Sequence, residues 1–121
     1  MSITALSGKV VTKHHCIDDG LVVVEDKKII FVGSKYDYRE DKPFTNHISY
    51  PDSLIVPGMI DIHVHGNTNL DVMDGKINSL RGIAKSLCSY GVTSFLATTM
   101  TMPISKIMSA LENIVAYQKR E

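Results

Sequence analysis

The hydrophobic positions change their period once along the chain. In GLVVVEDKKIIFVG, Gly20 to Gly33, two β-branched runs (Leu21 to Val24 and Ile29 to Val32) flank a polar Glu25-Asp26-Lys27-Lys28 centre. That pattern predicts a hairpin. Ser2 to Thr12 predicts a further strand, while Lys35 to Tyr50 is polar and irregular, with Pro43 inside it, and predicts a loop holding one short strand near His47 to Tyr50. Pro and Gly then punctuate Pro51 to Gly58, where the pattern changes. Met59 to Val64 predicts a strand. Across Asn78 to Tyr90 the apolar Leu80, Ile83, Ala84 and Leu87 recur at helical spacing, and Gly91 sits where a helix end calls for positive φ. Val92 to Thr99 is β-prone again, and Pro103 opens a second helix whose Ile104, Ile107, Met108, Leu111, Ile114 and Val115 form one stripe, predicted to face the core. Strand, helix, strand, helix in that order predicts parallel βα units rather than more antiparallel sheet.

Length and charge narrow the classes. The 121 residues suit one ordinary domain. Thirteen Lys plus Arg balance thirteen Asp plus Glu, so no net charge draws the chain to nucleic acid or to anionic lipid. Cys16 and Cys88 stand far apart, outside any CxxC spacing, which argues against a disulfide framework or a cysteine metal knuckle and for a reducing, cytoplasmic setting. No basic-then-apolar leader opens the sequence, and no run approaches the roughly 18 apolar residues that span a bilayer. A soluble protein without a membrane or nucleic-acid partner is expected.

Candidate chemistry concentrates in IVPGMIDIHVHG, Ile55 to Gly66. Strand side chains alternate, so Asp61, His63 and His65 share one face and Ile60, Ile62 and Val64 the other. The aliphatic face would pack under helices, and the polar face would look into a cavity or barrel mouth. Two imidazoles on one side can hold a divalent cation, since neutral imidazole nitrogen bonds zinc at about 2.0 to 2.1 Å. An isolated HxH is a short pattern that also arises at ordinary strand ends. Here it ends a Pro-Gly-led strand at the start of a βα series, the strand end where barrel enzymes carry functional groups. Asp61 reads as a buried carboxylate bonded to nearby loop backbone rather than as a ligand. His14, His15 and Cys16 are adjacent, so their side chains diverge and read as a solvated turn. Asp71 and Asp74 read as loop caps. Thr98, Thr99 and Thr101 could line a pocket, and Met100 and Met102 need no role beyond packing.

At these residues the chain resembles the amidohydrolase superfamily, in which a small β-sandwich precedes a (β/α)8 barrel whose first strand carries HxH. Within it, LDVMDG at Leu70 to Gly75 and GVTSFLATTMT at Gly91 to Thr101 resemble the N-acetylglucosamine-6-phosphate deacetylases; dihydroorotases and other cyclic amidases share PGxIDxHxH but fit the second strand less well. The resemblance implies an α/β chain with part of a β-sandwich at 1–55 and the first two βα units of an incomplete TIM-type barrel at 56–121. It also implies His63 and His65 as ligands of a divalent metal ion (zinc, iron or manganese), an amino-sugar phosphate substrate, and hydrolysis of its acetamide to acetate and glucosamine 6-phosphate. A later glutamate, two further histidines and an acid-base aspartate would complete the site, and none can be placed here. A complete barrel takes about 250 residues, so the chain reads as an N-terminal fragment that is inactive alone and, with uncovered edges and apolar faces, a homo-oligomer. The alternatives are a piece of a cyclic amidase, or a non-catalytic module that pairs with itself.

Overall fold

A computed structural model describes residues 2–39 and 43–120. The chain divides into two compact units, Met1–Pro57 and Gly58–Glu121.

The first unit is a four-stranded sheet of β1 (Ile3–Val11), β2 (Cys16–Glu25), β3 (Lys28–Ser34) and β4 (Asn46–Ile55), in the order β3-β2-β1-β4. The predicted hairpin is β2 and β3. It closes with Glu25 opposite Lys28, leaving a two-residue turn at Asp26 and Lys27, and Asp26 takes φ 53°. Asp tolerates that left-handed conformation, which matches the twist of the flanking strands. Alternation puts Ile3 and Ala5 of β1 beside Leu21 and Val23 of β2, where they form a buried cluster under Phe31, Tyr38 and Phe44.

The segment predicted as loop is corrected in two respects. Its strand is not short: β4 has ten residues and pairs in parallel with β1. Pro51 does not end the sheet either. The register shifts between Gly8 and Lys9, whose partners are Tyr50 and Leu54, so Pro51, which has no N–H to contribute, sits in an irregularity where no ladder bond is asked of it. Residues 40–42 of that predicted loop lie outside the described residues.

The second unit contains β5 (Met59–Val64), a two-strand ribbon of β6 (Gly66–Asn67) and β7 (Leu70–Asp71), a 3₁₀ turn (Val72–Asp74), α1 (Ile77–Ser89), β8 (Val92–Ala97) and α2 (Ile104–Gln118). β5 and β8 pair in parallel. α1 lies within a residue of its predicted bounds, and Gly91 follows it at φ 81°, donating to the Cys88 carbonyl at 3.0 Å. A side chain with a Cβ would be strained there. The core is Val72, Leu80 and Ile83, fully buried, with Leu87, Phe95, Ala97, Ile114 and Tyr117 packed around them.

Two predicted faces differ from expectation. The α2 stripe splits: Ala110 and Asn113 are buried and Ile114 packs on the core, whereas Ile104, Met108, Leu111 and Val115 are exposed. One helix rests on α1 and the 3₁₀ turn along a single line of contact, which is narrower than the apolar arc. Ile60 and Ile62, expected beneath helices, are 67% and 74% exposed, because α1 covers the β8 side, at Phe95 and Ala97. Met100 and Met102 are exposed rather than packed. No helix among the described residues is long and apolar enough to cross a membrane.

Candidate metal centre

His63 is the fifth residue of β5, and His65 follows the last, before β6. The two rings stand edge to face, centroids 4.9 Å apart, and their Nε2 atoms approach to 3.1 Å. Two nitrogens each about 2.0–2.1 Å from a tetrahedral zinc ion would lie about 3.3 Å apart, so the pair needs only a small opening to hold one cation between them. Neutral imidazole is the ligating form, and the second ring nitrogen decides where its proton sits. His65 Nδ1 lies 3.0 Å from the carbonyl oxygen of Thr98. A carbonyl only accepts, so that contact places the proton on Nδ1 and leaves the Nε2 lone pair of His65 bare. His63 Nε2 then carries the proton it shares across the 3.1 Å contact.

The backbone around the pair is held from both strands. The Thr98 N–H donates to the Val64 carbonyl at 2.8 Å, and the Val64 N–H donates to Thr98 Oγ1 at 3.2 Å. Asp61 is half-buried, and its carboxylate accepts the His63 N–H at 3.0 Å. It serves backbone as expected, although the backbone is that of its own strand rather than a loop. On the far side, the Val72 N–H donates to the His65 carbonyl at 2.8 Å. Gly66 makes this possible: a Cβ there would collide with the Leu70 carbonyl oxygen on β7. Gly66→Ala is therefore expected to part β6 from β7 and to destabilise the unit by about 1–3 kcal/mol. Faster hydrogen exchange at the Val72 amide would report it, and unchanged protection would show that the ribbon tolerates the methyl group.

Asp71 and Asp74 are caps, as expected. Asp71 accepts the Met73 N–H at 2.7 Å, while Asp74 accepts the Asp71 N–H at 3.1 Å and the Ser79 hydroxyl at 2.7 Å. The Ser79 hydroxyl and then the Asp71 amide hold the Asp74 carboxyl below its ordinary value. His14 and His15 form a turn gathered by Thr12, whose Oγ1 accepts both of their N–H groups. A groove of about 630 Å³ in the first unit passes Asp18, Asp19, Lys35, Tyr36 and His47. Its charges are already matched in the exposed pairs Lys9–Asp18 at 2.8 Å and Lys35–Asp19 at 2.5 Å. Among the described residues no three His, Cys, Asp or Glu side chains gather into a metal-holding group, so the histidine pair is the most convergent ligand set that these residues offer. The clamping role of Thr98 was not legible in the sequence, where it counted only as a pocket-lining candidate; its position depends on the register between two strands 33 residues apart.

No family model matches the chain. It is 38% identical over 113 residues to the N-acetylglucosamine-6-phosphate deacetylase of Bacillus subtilis (strain 168), covering 93% of this chain and 28% of that protein. It is 44% identical over 61 residues to the N-acetylgalactosamine-6-phosphate deacetylase of Escherichia coli O157:H7, covering 50% of this chain and 16% of that protein. The crystal structure of the N-acetylglucosamine-6-phosphate deacetylase from Pasteurella multocida matches 98% of this chain and 31% of its own with a TM-score of 0.86, at 20% identity, which is a likeness of fold. The chain thus spans less than a third of the length of these relatives.

Proposed function

We infer that this chain belongs to the N-acetylglucosamine-6-phosphate deacetylase family of the amidohydrolase superfamily, and that it supplies two metal ligands to a deacetylase of an N-acetylated amino-sugar phosphate. The observation that carries this reading is the approach of His63 Nε2 and His65 Nε2 to 3.1 Å at the C-terminal end of a parallel strand. A divalent cation such as zinc, iron or manganese would polarise the acetamide carbonyl and make water nucleophilic near neutral pH. The chain's own part is to hold two neutral imidazoles together at the C-terminal end of β5 and to orient them, His65 through Thr98 and the His63 backbone through Asp61. Water adds across the C–N amide bond, which breaks to acetate and a free amine on the sugar. The first unit is taken as part of a small β-sandwich and the second as the opening βα units of a (β/α)8 barrel, in a cytoplasmic protein.

Deacetylation requires more than two ligands and a proton donor for the leaving amine. The 121-residue chain alone is therefore expected to release no acetate from N-acetylglucosamine 6-phosphate with added zinc, iron or manganese. Grafted in place of the matching 113 residues of the Bacillus subtilis relative, it is expected to support metal-dependent acetate release that His63→Ala removes. A folded graft without turnover on either N-acetylglucosamine 6-phosphate or its galactosamine epimer would sink the proposal. Turnover by the chain alone, abolished by His63→Ala, would show that it carries more of the site than is proposed.

A further inference from the structure

We propose that Thr98 is a positioning residue that locks the tautomer of His65, so that the two histidines of the pair start from opposite tautomers and only His63 must change when a cation binds. The proposal rests on the ligand reading of the pair, and it stands on three contacts that a single residue makes to the end of β5.

The ladder between β5 and β8 slips between Asp61 and Val64, whose partners are Phe95 and Ala97. Just past that slip the Thr98 hydroxyl occupies the place of a missing strand partner: it accepts the Val64 N–H at 3.2 Å and donates to the Leu96 carbonyl at 3.1 Å. The Thr98 N–H closes on the Val64 carbonyl at 2.8 Å. With both polar groups of Val64 engaged by one residue, the Thr98 carbonyl is carried to His65 Nδ1 at 3.0 Å. Such an oriented second partner fixes both ring rotation and tautomer of a ligating histidine. His65 is thereby ready to ligate through Nε2. His63 is not, because the 3.1 Å contact between the two Nε2 atoms needs one proton, and His65 has none to give there. If both Nε2 atoms held a cation, the proton on His63 Nε2 would have to be given up to solvent and one taken up at Nδ1, so His63 would ligate as the Nδ1–H tautomer. No net proton need be released.

Long-range ¹H–¹⁵N spectra of the imidazole rings, recorded on the full chain at about pH 8, where free imidazole is neutral, read the tautomers directly. The metal-free protein should show His65 as Nδ1–H and His63 as Nε2–H; zinc should move His63 to Nδ1–H and leave His65 unchanged. Thr98→Val keeps the shape of the side chain and removes the hydroxyl. It should make His65 a mixture of tautomers and raise the zinc dissociation constant by about 10–100-fold, while Thr98→Ser restores both. Amide spectra of the variants check that the unit stays folded. The proposal is overturned if wild-type His65 is the Nε2–H tautomer, or if a folded Thr98→Val protein keeps His65 wholly Nδ1–H with zinc affinity within about twofold. Tautomers as assigned in a wild-type chain that binds no zinc would overturn the ligand reading of the pair while supporting the lock.

Discussion

Zinc binding by the chain is expected to vanish when His63 and His65 are both replaced by alanine. The two Nε2 atoms lie 3.1 Å apart at one strand end, and among the described residues no group of three or more metal-binding side chains gathers. With two protein ligands, water must complete a tetrahedral shell, so the parent affinity will be modest and will fall with acid as protons compete for the same nitrogens. Removing both rings leaves nothing to compete for. His63→Ala alone should already weaken binding roughly tenfold or more, on the scale of a disturbed metal shell. Calorimetric titration at neutral pH decides. Replacement of His14 and His15 is the control, since their turn is organised by Thr12 and no cation is needed to hold it. If that control loses the zinc and the His63, His65 variant keeps it, the site has been assigned to the wrong pair.

Leu80→Ala is expected to cost the second unit about 2–5 kcal/mol, the range for a fully buried leucine cut back to its Cβ. Leu80 is 1% exposed and meets Val72 and Ile83, both fully buried, in a core with few other members. Close-packed neighbours relax only partly into such a gap. A domain's whole stability is commonly about 5–15 kcal/mol, and a unit this small should sit low in that range. Denaturant unfolding should show the loss, and zinc binding should go with it, because Thr98 directly follows β8, which α1 supports at Phe95 and Ala97. Leu111→Ala on the exposed side of α2 should change stability by less than about 0.5 kcal/mol. Equal effects at the two leucines would contradict the division of α2 into an inner and an outer face.

Local pattern carried most of the element assignments. The β2–β3 hairpin is written in two β-branched runs around four polar residues, and α1 in the spacing of Leu80, Ile83 and Leu87 and the glycine that ends it. These are contacts between residues close in sequence, so period and turn chemistry suffice. β4 was underestimated because its pattern is uninformative: nearly every residue is exposed and Pro51 interrupts it, and it exists through parallel pairing with β1, about forty residues earlier. The apolar stripe of α2 was legible, but which half of it is covered depends on which elements arrive beside it.

The same division holds at the histidines. Period two alone put His63 and His65 on one side of a strand, and the chemistry of imidazole made them metal-ligand candidates. What the sequence could not contain is the registry between β5 and β8. That registry delivers the Thr98 carbonyl to the His65 ring, and on the proposed ligand reading it would divide two chemically identical side chains into one already in its binding tautomer and one that has to change. Proton placement on a histidine answers to the partner of its second nitrogen, and here that partner is 33 residues away along the chain and adjacent only once the two strands have paired.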